Sequence, residues 1–265
     1  MESLSTEGFV LRTRAFGESD IIAVLFTRDY GKLSGIARGA RRSKRRFAGP
    51  VLEPFQEIGL RFARRPHSEL AFLHECSIVQ SHHHIADELM SFAWASYVCE
   101  LTERMVAERD PSPELYVLFR STIETLGAGV DAESAAHHFI LGLLDVAGWG
   151  PDFTRCGICD EEVTGASRPI LDARGSGIVC SRHEAERLGM NHEDPSYRPT
   201  RRIITEPLLA YVRAASTAVA PDYDPRLRED ATLLLDRLID LHLSKPLKSR
   251  RFLAEIRSSV RPQSV

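Results

Sequence analysis

Residues 21–38 read Ile21-Ile22-Ala23-Val24-Leu25-Phe26-Thr27-Arg28-Asp29-Tyr30-Gly31-Lys32-Leu33-Ser34-Gly35-Ile36-Ala37-Arg38. Two β-rich runs, Ile21 to Arg28 and Lys32 to Arg38, flank the tight turn Asp29-Tyr30-Gly31, where glycine supplies the backbone angle the turn needs. Upstream, Ser5 to Arg14 is another β-rich run, ending at the turn Phe16-Gly17-Glu18-Ser19-Asp20. Downstream, Val51 to Ala63 and Ser68 to Gln80 make a fourth and a fifth strand, separated by Arg64-Arg65-Pro66-His67. Five short strands linked mostly by turns predict a small closed barrel, of which the five-stranded oligonucleotide-binding (OB) barrel is the simplest form.

The third strand runs straight into a cationic loop. From Arg38 to Arg46 there are six cations (Arg38, Arg41, Arg42, Lys44, Arg45, Arg46) and no acid. Such a loop repels itself. It reads either as a solvated charge run or as a grip for phosphates, whose neutralisation releases counterions whatever the base sequence. Barrels of this kind hold single strands in a basic groove with aromatic rings on which bases stack. Phe47, inside the basic stretch, is the stacking candidate; Phe9, Phe26, Phe55, Phe62 and Phe72 read as core.

The whole chain has 265 residues and a formal net charge of -3, so any nucleic-acid affinity must come from local patches. No stretch approaches the roughly 20 apolar residues of a membrane helix. The acidic, polar start Met1 to Glu7 is not a secretory signal, and a cytosolic protein is expected.

Beyond residue 80 the apolar period becomes helical. Helices are expected from Ile85 to Glu108, from Ser112-Pro113 to Gly127, and from Asp131 to Gly148. The run His82-His83-His84 reads as a polar helix start, because three consecutive residues on a helix cannot face one ion; His137-His138 is weighed in the same way.

Of five cysteines, Cys76 and Cys99 lie in apolar periodic segments and read as buried. The other three form Cys156-x2-Cys159-x20-Cys180-x2-His183. Each short turn brings two ligands to one side of an ion, and the spacer lets the turns face each other, which is the pattern of a closed structural zinc site. His192 is an alternative to His183 as fourth ligand. A closed site leaves no position for substrate, so Zn2+ here would be structural. No thioredoxin-like unit surrounds Cys156, and no His-x-Glu precedes it as a zinc deaminase requires.

The chain ends with helices from Thr205-Glu206-Pro207 and after Pro225, then a second basic cluster of Lys245, Lys248, Arg250, Arg251, Arg257 and Arg261. It reads either as a solvated tail or as an extension of the basic loop. No Walker Gly-Lys-Ser/Thr loop and no convergent carboxylate or Ser/His set stands out, so an enzyme is not expected. The expected architecture is α+β and multidomain. An OB-fold domain spans 1–80 and a helical domain 81–150; a zinc knuckle is inserted at 151–200, and helices at 201–265 complete the helical domain.

The sequence resembles the bacterial RecO family of DNA repair and recombination proteins. The resemblance spans nearly the whole chain and is carried by Gly8-Phe9-Val10-Leu11, Gly17-Glu18-Ser19-Asp20 and Phe26-Thr27-Arg28-Asp29-Tyr30-Gly31-Lys32-Leu33. It continues through Ala37-Arg38-Gly39-Ala40-Arg41-Arg42, Leu52-Glu53-Pro54-Phe55, the cysteine pairs and Pro246-Leu247-Lys248-Ser249-Arg250. It implies an N-terminal OB barrel, a helical domain and a zinc knuckle, here with His183 where the four-cysteine form has its last ligand. It implies binding of single- and double-stranded DNA and annealing of complementary strands. It also implies cooperation with RecR in loading RecA onto DNA coated by single-strand-binding protein (SSB), recognition of the SSB C-terminal tail, and a place in the bacterial cytoplasm at the nucleoid. The DNA-binding residues expected are Arg38, Arg41, Arg42, Lys44, Arg45, Arg46, Phe47, Lys248, Arg250 and Arg251. Two other classes fit the residues alone: a zinc-containing RNA-binding or ribosome-associated OB-fold protein, and a protein-binding adaptor with an incidental basic loop.

Overall fold

Strict alternation organises the third strand. Gly31, Leu33, Gly35 and Ala37 are buried, and Lys32, Ser34 and Ile36 between them are half-buried. In the computed structural model, which describes residues 3–64, 68–129, 131–172, 177–183, 203–220 and 223–260, this strand is part of a closed barrel. Its strands are β1 (Leu4–Phe16), β2 (Asp20–Thr27), β3 (Gly31–Ala37), β4 (Glu57–Ala63) and β5 (Ala71–Gln80), joined in the order β1-β2-β3-β5-β4. All pairings are antiparallel except β3 with β5, which close the barrel in parallel through Gly35–Ala71 and Ile36–Phe72. Inward side chains Val10, Ala23, Leu25, Leu33, Ile58, Leu60, Phe62 and Leu73 fill it. Gly31, at φ +63°, makes the β2–β3 turn against the backbone of Asp110, where any side chain would collide.

The fourth strand starts at Glu57 and not at Val51 as expected. Residues 51–56 stay in the connection because Glu53 closes a turn on the Pro50 carbonyl (2.8 Å), Pro54 has no amide to give a ladder, and Phe55 sits at φ +73°.

The chain forms two compact units, Met1–Ala132 with Pro246–Val265, and Glu133–Lys245. In the first, α1 (Leu89–Met105) and α2 (Pro113–Gly127) cover the outside of the barrel. The expected long helix from Ile85 begins instead as a 3-10 turn, His83–Asp87, and α1 starts where the Glu88 carboxylate accepts the amides of Met90 and Ser91. Ser112 caps α2, with Pro113 in its first turn. Phe119 of α2 meets Phe9 and Phe26 edge-on, at 5.1 and 5.6 Å between centroids. The final helix, α6 (Lys248–Val260), packs on α1 in this unit. The Glu100 carboxylate accepts the amides of Lys248 (3.0 Å) and Ser249 (2.8 Å) at its N-terminus, which satisfies two orphan donors.

The second unit holds α3 (Ala132–Val146), the hairpin β6 (Ile170–Asp172) and β7 (Gly177–Val179), α4 (Glu206–Thr217) and α5 (Pro225–Asp240). Its core contains one fully buried imidazole. His137 bonds the Tyr211 hydroxyl through Nδ1 (2.7 Å) and the Thr232 hydroxyl through Nε2 (2.8 Å), tying α3 to α4 and α5. Both ring nitrogens are thereby used within the protein, and His138 bonds the Ala215 carbonyl, so this pair is part of the packing.

At the barrel–α2 seam the buried Glu57 carboxylate takes the Tyr116 hydroxyl (3.2 Å) and lies 3.3 Å from the Arg120 guanidinium. Burial raises its pKa, against the pull of Arg120 and Tyr116. Beside them His82 is 1% exposed, and its amide donates to the Gln56 side chain (3.2 Å). Burial pushes the His82 imidazole down to about 4, helped by His84 and Arg120 and opposed by Glu124. Between pH 6.5 and about 4 the unfolded chain binds a proton that folded His82 does not. The stability that depends on neutral His82 is therefore complete above this window and lost as pH falls through it, to a total of about 3 kcal/mol. His82→Asn is expected to flatten the fall in urea midpoint between pH 7 and pH 5; an unchanged profile would assign the acid sensitivity to other groups.

Candidate nucleic-acid interface and metal site

The basic loop is anchored at both faces. Inward, Ala40, Phe47, Val51 and Leu52 belong to the barrel core, and the Cys76 amide donates to the Arg46 carbonyl (2.9 Å). Outward, the loop is tied to the β1–β2 turn. The Gly39 amide donates to Asp20 Oδ1 (2.8 Å) and the Arg41 amide to the Ser19 carbonyl (3.0 Å). Arg41 Nη1 also donates to the Glu18 carbonyl (3.2 Å). The Gly39 amide, outweighing burial, holds Asp20 below the usual carboxylate range.

Arg38, Arg41, Arg42, Lys44 and Arg45 are exposed. The Arg42–Glu18 pair, at 3.6 Å and 73% and 92% exposed, is too solvated to neutralise the loop. Arg46 is different: it is half-buried, its Nη2 donates to the Arg38 carbonyl (2.8 Å), and its guanidinium lies over the Phe47 ring at 5.3 Å. A recess of about 270 Å³ beneath the loop is rimmed by Arg41, Arg42 and Lys44 and floored by Ile21, Phe47, Val51 and Leu52.

Phe47, expected as the stacking ring, does not present its face to solvent in this fold. It is 5% exposed and packs into the barrel end, because the loop needs an apolar side chain to seal the core below it. Phe72, read from the sequence as core, is half-buried on the outer face, with the Arg38 guanidinium 5.8 Å from its centroid. Period-two alternation places it there, since Ala71 and Leu73 on either side point inward. Phe16, read only as part of a turn, is 48% exposed at the end of β1.

Of the C-terminal cluster, Lys248, Arg250, Arg251 and Arg257 lie on a helix of the barrel's unit, and Lys245 falls in the second unit. Lys248 and Arg251 are exposed, Arg250 is half-buried, and Arg251 pairs with Glu255 (2.9 Å). Phe252 meets Phe92 of α1 at 6.0 Å, and Phe92 meets Phe55 at 5.6 Å, so aromatic contacts link α6 to the far end of the β3–β4 connection. Arg261 lies outside the described residues.

In the second unit the cysteine turns meet. The Gly157 amide donates to the Ile178 carbonyl (2.9 Å), fastening the first turn to β7, and Asp160 closes that turn on the Cys156 carbonyl (2.9 Å). Arg213 of α4 holds it from the other side through the carbonyls of Phe153 and Val163 (2.8 and 2.7 Å). The ligand atoms of Cys156, Cys159, Cys180 and His183 all lie within 4.8 Å of one another. His183 Nδ1 is 3.7 Å from Cys156 Sγ and 3.3 Å from Cys180 Sγ. Zinc–sulfur and zinc–nitrogen bonds at tetrahedral angles set that edge at about 3.5 Å, so the four groups fit one ion. Burial would raise the Cys156 thiol, but the amides of Cys159, Cys180 and Ile158 outweigh it and bring it down to about 6, toward the thiolate a metal needs. Among the described residues this is the one such cluster; His192 lies outside them.

The chain matches the family Recombination protein O N terminal over residues 1–82 and Recombination protein O C terminal over residues 87–251. It is 35% identical to the DNA repair protein RecO of Geobacter metallireducens over 263 residues, 97% of this chain and 99% of the relative. The chain belongs to the RecO family of DNA repair proteins. Its RecO relative in Anaeromyxobacter sp. strain Fw109-5 is 34% identical over 96% of the chain, and that of Myxococcus xanthus 32% over 97%. The RecO assignment supports a role in DNA repair and agrees with the OB-like barrel and the helical region that follows it. No helix among the described residues is long and apolar enough to cross a membrane.

Cys180→Ser removes a buried thiol from the cluster. It is expected to weaken divalent-metal binding by more than the roughly 10–100-fold typical of supporting groups around a metal, read by competition with a chromophoric chelator. Equal affinity in the variant would show that the cluster does not hold the ion.

Proposed function

We propose that this protein is a recombination mediator. It binds single- and double-stranded DNA and anneals complementary strands. With RecR it helps load RecA onto DNA coated by SSB, whose C-terminal tail it recognises, and it acts in the cytoplasm at the nucleoid. The observation that carries the reading is the exposed set Arg38, Arg41, Arg42, Lys44 and Arg45 on a loop anchored to an OB-like barrel in a RecO-family chain. Phosphates neutralise such a loop without reading sequence. Two strands whose phosphates are neutralised repel each other less, and base pairing then proceeds. Lys248, Arg250 and Arg251 are further cations of the same unit. The reading asks for no catalytic group and no nucleotide hydrolysis. Zn2+ on Cys156, Cys159, Cys180 and His183 would be structural, since four protein ligands leave no open position.

The test is binding to a fluorescent single strand between 50 and 200 mM salt, conditions in which the phosphate term dominates. Arg46 is left in place because it supports the loop. Replacing Arg41, Arg42, Lys44 and Arg45 with Ala is expected to weaken binding and to lower the log–log salt slope by up to about 3, at about 0.7 per phosphate contact on a single strand. Annealing of complementary strands coated with the cognate SSB should slow in parallel. An unchanged slope would remove the loop from the interface, and preference for RNA over matched DNA would favour an RNA-binding role.

A further inference from the structure

Resting on the strand-binding reading above, we propose that Phe16 is the ring on which an unpaired base stacks when the basic loop holds a strand. The β1–β2 hairpin ends at the pair Phe16–Asp20, and Gly17 makes the turn at φ +60°. Arg14 and Phe16 are two residues apart and share a face of β1, with the Arg14 guanidinium 5.8 Å from the ring centroid. That face is defined across the barrel by one register row: Arg14 pairs Ile22, Ile22 pairs Ile36, and Ile36 pairs Phe72. Paired residues share a side of a sheet, so Arg14 and Phe16 face outward with Phe72 and the Arg38 guanidinium that covers it.

A singly exposed phenylalanine is unremarkable by itself. Two features distinguish Phe16. Its surroundings are cationic: Arg14 lies beside it, and the exposed cations of the loop adjoin its turn. Of the nearby acids, Asp20 is engaged by the Gly39 amide, and Glu18, 92% exposed, is a single charge against Arg14 and the loop's five exposed cations. The turn and the loop are also tied together, through the Asp20–Gly39, Arg41–Ser19 and Arg41–Glu18 hydrogen bonds, so the strand end that carries Phe16 and the loop that carries the cations are held side by side. A polymer that alternates anionic groups with flat apolar plates matches both features, and an unpaired strand is such a polymer. A duplex offers the phosphates but keeps its base faces stacked. Phe16 thereby gives the protein a preference for unpaired strands that the loop alone cannot supply.

The experiment measures full-length protein binding to a single strand and to a blunt duplex of equal length by fluorescence anisotropy. Phe16→Ala is expected to weaken single-strand binding by about 5- to 150-fold, the range for loss of one stacked base. Its salt slope should be unchanged, and its duplex affinity should stay within about twofold. Phe16→Trp should retain binding, and its added fluorescence should be quenched by the single strand and not by the duplex. Equal losses on both substrates, or single-strand affinity equal to that of the natural chain, would overturn the proposal. The four-site loop variant separates the two readings. If it loses binding while Phe16→Ala does not, only the stacking assignment fails; if it binds normally, the phosphate grip fails with it.

Discussion

Closure of the barrel through a short parallel contact is the constraint on which the first unit depends. β3 and β5 meet at Gly35–Ala71 and Ile36–Phe72. The contact is close: a Cβ on Gly35 would come within 2.7 Å of the Leu73 side chain. Once those strands pair, the segment from Arg38 to Gln56 must cross the end of the barrel. Its apolar residues, Ala40, Phe47, Val51 and Leu52, then go inward to seal the core. The cations between them have only the solvent side left. The loop is thus charged outside because its inside is part of the core, and the same packing that buries Phe47 presents Arg41, Arg42, Lys44 and Arg45.

The second consequence is preorganisation. A loop with six like charges in nine residues would, if free, spread to reduce its own repulsion. Here it is pinned by backbone amides: Gly39 to Asp20, Arg41 to Ser19, and Cys76 to Arg46. Asp20 does this with a carboxylate whose charge the Gly39 amide stabilises. Binding a polyanion then requires little further ordering of backbone. Arg46 shows the division of labour, since its guanidinium serves the Arg38 carbonyl and the Phe47 ring within the loop.

The two units reach order by different routes. In the first, aromatic side chains from β1, β2 and α2 interlock, and the Glu100 carboxylate fixes the start of the last helix. In the second, a buried imidazole joins three helices through hydroxyl groups, and the first cysteine turn of the Cys3His cluster is held by Arg213 and by the strand Gly177–Val179. The Cys3His cluster follows from local geometry: each short turn converges two ligands, and a hairpin spacer folds one turn back onto the other.

Local pattern was sufficient for much of this. Period-two alternation, the Asp29-Tyr30-Gly31 turn, the Ser112-Pro113 helix start and the Cys156-x2-Cys159 and Cys180-x2-His183 spacings are short-range features, and each is realised in the fold. Side-chain roles that depend on distant partners were not legible. Phe47 sits in a basic stretch, so its sequence neighbours suggest solvent, yet its spatial neighbours are the barrel core. Phe72 and Phe16 face outward because of register and hairpin ending, which are settled only when four strands pair. His82 is buried because the Phe9 face of the barrel and α2 close over it, although two histidines follow it. The sequence by itself determined the order and type of the main elements, the charge of the loop and the Cys3His set, since these follow from residue type and spacing. Only the tertiary structure decided which aromatic rings meet solvent and that the terminal basic helix returns to the barrel's unit, because burial is set by long-range packing that no local window contains.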